Sequence, residues 1–330
     1  MNDKDSDVRL LAVKQWGPLR NKAAVSMLQK AMRDTSDYVR IAAAESLYQL
    51  EDSSGLAVLK EIVRAAPPPP QEGTELGVIL QLRTISRNKV RVAALNALSR
   101  RGAASESFLR ETLADRDGAV RDAASVALAR RGNEDALEGF IKALGHDDSG
   151  IRERAVRALG EAPNRGTVDY LKSSAADPIP RVRAAVMTAL GATRDMRAIP
   201  LLKKGLDDEN SLVKANAVEA LGNIPSSDAI PLLRGALSSA DNVVIQLYAI
   251  AGLARFGEST SLMPAVLALA QKKDQDARLL AVEVLEAAGG EQAVEQLQST
   301  LGDKDMTVRV RAAAAVVKLL QSRNIRRSDQ

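Results

Sequence analysis

Apolar side chains recur along this chain in one phase. A branched or small apolar residue stands at Val8, Val39, Val90, Val120, Ile151, Val182, Val213, Val244, Ala277 and Val308. Four residues after it comes alanine in eight of the ten copies (Ala12, Ala43, Ala94, Ala124, Ala155, Ala217, Ala281, Ala312), and eight residues after it leucine in seven (Leu47, Leu98, Leu128, Leu159, Leu190, Leu221, Leu285). Steps of four fall on one stripe of a 3.6-residue helix, so each copy predicts a helix with a narrow buried face. Alanine in mid-stripe lets neighbouring helices approach closely, and leucine one turn later fills the remaining volume.

The copies are 31, 51, 30, 31, 31, 31, 31, 33 and 31 residues apart. Between them lies a second amphipathic segment, seen in "AIPLLKKGLDDE" (198–209), "AIPLLRGALSSAD" (229–241) and "AVEQLQSTLGDKD" (293–305), with turn clusters such as "GNIPSSD" (222–228) at the join. Each period is therefore read as two antiparallel helices. A fixed period of this length is the signature of a solenoid, in which each unit buries its apolar face on its neighbours. The expectation is an all-α superhelix of about ten helix pairs, forming a single solenoid over 1–322 with a basic polar tail at 323–330 ("RNIRR" at 323–327).

One polar pair travels with the stripe. Aspartate precedes arginine by six residues in Asp3/Arg9, Asp34/Arg40, Asp115/Arg121, Asp177/Arg183 and Asp303/Arg309, with lysine replacing arginine in Asp208/Lys214. The carboxylate falls in a turn where it can satisfy helix-start amides, and the arginine can reach a carboxylate of its own or the next copy. A catalytic pair would be one exceptional site; a pair distributed over six of the ten copies reads as a structural ladder.

The turn aspartate followed by "VRIAAAESL" (39–47), "VRVAALNAL" (90–98), "VRDAASVAL" (120–128) and "VRAAVMTAL" (182–190) resembles HEAT repeats, in particular the short bacterial type also found in phycobilin-lyase-like proteins. The resemblance runs from Val8 to about Leu320. It implies a right-handed superhelix with the Val-Arg helices on its concave side, and binding scaffolds as the common role. Some such proteins attach chromophores or excise damaged bases, so the resemblance does not fix an activity.

Composition narrows the chemistry. The chain has no cysteine, which removes disulfides, thiolate catalysis and cysteine-held metals, and its single histidine, His146, reads as a turn or cap residue in the aspartate's place. The 46 basic and 42 acidic residues are interspersed, and aromatic residues are only 2%, so neither a basic stripe nor a stacking platform for nucleic acid is evident. No apolar run reaches the length of a membrane span and "MNDKDSD" is not a secretory signal. No cofactor or metal is expected. A cytoplasmic location is, unless "MNDKD" follows a removed segment; then a periplasmic or envelope-anchored location is the alternative.

Breaks in the repeat carry the remaining information. "RAAPPPPQEGTELGVILQLRT" (64–84) adds about twenty residues; its prolines favour an extended segment, and "ELGVILQL" either forms a short helix or extends the next one. In the copy at Val244, Ile245 replaces arginine, Tyr248 the alanine and Gly252 the leucine, read as local repacking rather than a ligand pocket. Trp16 reads as core. Six and nine residues after the aligned position, side chains lie opposite the stripe: Glu45, Tyr48, Asn96, Ser99, Arg157, Thr188, Glu219, Glu283 and Glu286. With Pro68, Pro69 and Pro70 of the insertion, these are the candidate contacts to a protein partner. The expected function is a non-catalytic scaffold binding another protein along its concave face, its proline-rich insertion, or both. A chromophore-lyase-like subunit and a nucleic-acid-binding HEAT protein are the alternatives; no small-molecule substrate is expected.

Overall fold

The computed structural model describes residues 3–17, 22–67, 75–100, 102–240, 242–258, 260–270 and 274–328. Within them every regular element is a helix. The chain divides into two compact units, Met1–Ala136 and Leu137–Gln330.

The first unit holds α1 (Ser6–Trp16), α2 (Val25–Ala31), α3 (Asp37–Gln49), α4 (Leu56–Arg64), α5 (Glu75–Arg100), α6 (Glu106–Thr112) and α7 (Gly118–Ala129). The odd-numbered helices carry the Val-Arg stripe and pack on the even-numbered ones. Val39, Ala43, Leu47, Ala94, Leu98, Val120 and Ala124 have no exposed surface, as the phase of the stripe requires. On α1, Val8 and Ala12 are half-exposed, and Trp16 packs at the edge of the core around Val13, Leu28 and Leu47. The insertion resolves in favour of an extended helix: "ELGVILQL" is the start of α5, whose 26 residues run without a turn into "VRVAALNAL". Leu82 and Ile85, on its added turns, are exposed.

The second unit holds most of α8 (Glu134–Ala143), then α9 (Ser149–Glu161), α10 (Thr167–Leu171), α11 (Pro180–Thr193), α12 (Ile199–Leu206), α13 (Ser211–Leu221), α14 (Ala229–Ser239), α15 (Val243–Arg255), α16 (Met263–Ala270), α17 (Gln275–Ala288), α18 (Gly290–Thr300) and α19 (Met306–Ser328). The odd helices form one layer, each packed along the next, and the even helices back it. The backbone of α19 carries helix through 323–328, so these tail residues continue the last element.

The odd layer is close-packed because its contacts are made by the smallest side chains. A Cβ added to Gly160 would come within 2.7 Å of Ala189 Cβ, and one added to Gly191 within 2.8 Å of the Ala220 Cα. Gly222 and Gly252 meet backbone to backbone in the same way. In the even layer a cleft of about 650 Å3 opens between α12 and α14. Close approach in the odd layer therefore goes with wider spacing between α12 and α14 behind it.

The polar pairs form a ladder, in which Arg9, Arg91, Arg152, Arg183 and Arg278 each reach the next copy's aspartate. Arg183 Nε and Nη2 donate to Asp208 at 2.7 and 3.0 Å, while Nη1 donates to the carbonyl of Asp177 in its own turn at 2.8 Å. Arg152 does the same with Asp177, at 2.7 and 3.0 Å, and Arg9 with Asp34, at 2.8 Å twice. Arg91 pairs with Asp115 and Arg278 with Asp303. A planar fork that binds one carboxylate edge-on and still has a nitrogen for a carbonyl is specific to arginine. Each aspartate also accepts the amide two residues on, as Asp208 does from Asn210 at 2.9 Å. The arginine hydrogen bond holds the Asp34 and Asp208 carboxyls below their ordinary range. His146 fills the turn position with a different acceptor: its Nδ1 takes the Asp148 amide at 2.9 Å, and its carbonyl takes Arg152 at 2.9 Å.

Where the insertion displaces a turn, the ladder adapts. Ala65 stands where the partner of Arg40 belongs, and Arg40 folds back onto Asp37, which Arg87 also contacts.

Candidate functional site

The face that the odd helices leave uncovered follows a simple rule. Counting from the aligned residue, the strip falls at −1, +3, +6 and +10, 100° or more from the centre of the buried stripe; +6 and +10 are exposed on α9 and α11, while Ala185 at +3 of α11 is buried. The exposed residues on α11 are Arg181, Thr188 and Ala192; on α9, Arg154, Arg157 and Glu161. The +9 position lies at the edge of the strip, where Gly160, Gly191 and Gly222 press against the next helix.

The copy on α15 obeys the same rule once its register is moved by one residue. Ile245, Ala249 and Leu253 are its buried stripe, and Gly252 takes the seventh position against Gly222, where Ala189 and Ala220 stand in the preceding copies. Gln246 becomes the arginine equivalent, and its Nε2 donates to the Ala240 carbonyl at 2.7 Å, six residues back, as Arg183 does to Asp177. The sequence reading of Tyr248 as a ring packed in place of alanine therefore changes. Tyr248 stands at +3, half-buried on the strip and within reach of the charges of Glu219 on α13 and Glu283 on α17.

The strip of the second unit has three parts. At α9 and α11, Glu153 is held between Arg157, at 2.8 Å, and Arg181. Both arginines keep more than half of their side chains in solvent, while Glu153 is 12% exposed. In the middle, Asn216 donates to the Thr188 hydroxyl at 3.1 Å and to the Ala184 carbonyl at 3.1 Å. A recess of about 320 Å3 spans these first two parts, with Ala184, Ala185 and Ala189 on its floor and Leu212 on its wall. At α13, α15 and α17 come Glu219, Tyr248 and Glu283. Burial raises the Glu219 carboxyl above its ordinary range, with Arg255 opposing and Glu283 adding to the shift. Burial and the charges of Glu219 and Glu283 raise the Tyr248 hydroxyl as well. Glu283 pairs with Arg311 at 3.1 Å and Glu286 with Lys318.

In the first unit, Glu45 lies 4.0 Å from Arg100, Tyr48 and Asn96 are half-buried, and the Ser99 hydroxyl donates to Leu95 of its own helix at 2.7 Å. Pro68, Pro69 and Pro70 lie outside the described residues. Arg181, Leu212, Asn216 and Arg255 also face the strip and were not among the expected contacts; their signal is the −1, +3 and +10 spacing. Among the described residues no group of three His, Asp or Glu could hold a metal ion, and no helix is long and apolar enough to cross a membrane.

The model of HEAT repeats matches residues 1–73, 77–155, 137–215 and 202–262. The chain belongs to the HEAT-repeat family. No curated protein matches it. Among solved structures, it is similar to the complex of CpcE and CpcF of phycocyanin lyase from Nostoc sp. PCC7120, at 24% identity over 65% of this chain and 94% of that one, with a TM-score of 0.46. It is also similar to an engineered protein (18% identity, 96% of each chain, TM-score 0.37) and to human deoxyhypusine hydroxylase (17% identity, 81% of this chain and 97% of that one, TM-score 0.34). These likenesses are of fold and transfer no activity.

Proposed function

We propose that this HEAT-repeat protein is a non-catalytic scaffold that binds another protein along the concave strip of its odd-numbered helices. One observation carries the reading: the strip is continuous from α9 to α19, and its exposed groups are spread along it as hydrogen-bonding, charged and apolar contacts. That distribution suits an extended polypeptide, whose contacts are spread in the same way. Acid–base chemistry asks for convergence in a pocket, whereas three pairs of charged residues of the strip, Glu153–Arg181, Glu283–Arg311 and Glu286–Lys318, are tied to one another across helices.

The proline-rich insertion at 64–84 is the second candidate contact. Capture from a lysate of the source organism, analysed by mass spectrometry, tests both. Thr188→Arg with Asn216→Arg should abolish capture of the main partner with the melting temperature unchanged. Replacing 66–74 by a Gly-Ser linker separates the two surfaces, because loss with this variant alone assigns binding to the segment. Capture that survives both variants refutes the reading.

A further inference from the structure

The exposed strip of the second unit is charged in order. On α9 and α11 three arginines (Arg154, Arg157, Arg181) face two glutamates (Glu153, Glu161), leaving one positive charge. From α13 onward the acids Glu219, Asp276 and Glu283 balance the bases Arg255, Arg311 and Lys318, and Glu286 at the edge of the strip adds one negative charge. Between the two ends lie the neutral Thr188–Asn216 pair and the Leu212 wall, of which 53% is exposed.

The acidic end is built around one carboxylate. Glu219 is half-buried, and among the described residues no hydrogen bond or ion pair reaches it; Arg255 acts on it only through its charge. Burying a carboxylate without a donor costs free energy, which a cation brought by a ligand would recover. Tyr248, close enough for the Glu219 charge to act on its hydroxyl, adds an aromatic ring to this corner. Two helix spacings separate this corner from Arg157 and Arg181, roughly 16–20 Å. An extended chain covers that distance in about five or six residues.

We propose that this strip takes an extended protein segment in a single orientation, with an acidic side chain over Arg157 and Arg181 and a basic one, about five or six residues along, over Glu219 and Tyr248. The proposal rests on the concave-face reading and adds the chemistry of the occupant. The 320 Å3 recess beside Leu212 receives an apolar side chain of the same segment.

The test is selection of random twelve-residue peptides displayed on phage against the full chain, followed by affinity measurement on synthetic copies. Selected peptides should carry an acid and a base at this spacing, in one order only. Glu219→Gln, Tyr248→Leu and Arg181→Gln should each weaken them about tenfold, equivalent to one charge-assisted contact of about 1.4 kcal/mol. Selection on Glu219→Arg should replace the base of the peptide by an acid. Peptides without charge order, lost with Asn216→Arg but indifferent to Glu219→Gln, would overturn this proposal and leave the concave-face reading standing. Peptides that bind elsewhere, untouched by every substitution on the strip, would sink both. Failure to enrich any peptide counts against the charge-ordered site. A dimer in sedimentation that Glu219→Gln dissociates would assign the strip to a second copy of this chain.

Discussion

The copies on α11 and α15 are the same structural unit written in two ways. On α11 the turn supplies Asp177, the helix supplies Arg183, and Gly191 closes on Ala220. On α15 the turn has Ala240, the arginine is Gln246, and the helix is displaced by one residue along the sequence. Both copies still bury an aliphatic stripe, Val182/Val186/Leu190 on α11 and Ile245/Ala249/Leu253 on α15. The stripe and the small-residue contact therefore define the unit, while the ion pair is an addition that one copy can lose. Losing it coincides with a new feature on the exposed strip, the half-buried Tyr248 near Glu219.

The largest expected effect comes from the contact that the two copies share. Gly191→Leu forces a side chain into the Ala220 backbone, 2.8 Å from its Cβ, and overpacking of this kind costs about 1–3 kcal/mol or more. Gly235→Leu, where nothing lies within 4 Å, should stay within about 0.5 kcal/mol. Urea unfolding of the two variants checks this. Equal midpoints would mean that the odd layer is not held by close approach.

This contact also marks what the sequence concealed. The buried stripe was legible because Val, Ala and Leu recur in phase through ten copies, and the Asp–Arg ladder because its spacing is constant. The slip on α15 was not, since "VVIQLYAIAGL" offers an apolar residue at either register, and only the backbone contact of Gly252 with Gly222 decides between them. The exposed strip was half legible. Glu219 and Thr188 follow from the +6 position, whereas Arg181 and Asn216 stand at −1 and +3 of the same projection, positions that a count of +6 and +9 leaves out.

The next effect separates the copies. Arg183→Met leaves the mostly buried Asp208 without its fork and should cost about 1–3 kcal/mol at neutral pH. Gln246→Met gives up one neutral hydrogen bond, worth about 1 kcal/mol. The arginine effect must also depend on pH. Asp208 is held below its ordinary range in the folded state, so its contribution is complete above the unfolded value of about 4. It is lost as pH falls through the lowered value. Wild type and Arg183→Met should therefore differ fully above about pH 5 and converge in strong acid, whereas the deficit of Gln246→Met should be independent of pH over that range. A constant Arg183→Met deficit down to about pH 2 would show that packing, not charge, is what the ladder supplies.

Glu219→Gln should act in the opposite direction. Burial raises the Glu219 carboxyl, so its ionised form weighs against folding at neutral pH and ceases to do so once protonated. The amide removes that burden, giving a small rise in melting temperature at neutral pH that disappears on acidification. The same substitution is expected to weaken charge-ordered peptides, so stability and binding should move apart. A variant that loses both would make Glu219 a structural residue.

The smallest effect would extend the ladder to the copy that lacks it. Ala240 occupies the turn position of Asp208, has an extended backbone (φ −83°, ψ 125°), and lines with Lys214 the cleft between α12 and α14. In Ala240→Asp the new carboxylate can accept the Asn242 amide, as Asp208 accepts that of Asn210, and can face Lys214. An ammonium supplies a point charge rather than a fork, so the gain should be only about 0.5 kcal/mol. Adding Lys214→Arg supplies the fork and should raise the gain beyond that of either substitution alone, read as a positive coupling in a double-mutant cycle. Zero coupling would mean that the slip on α15 has carried the turn out of reach of α13, and that the missing aspartate follows from the register instead of being free to vary within it.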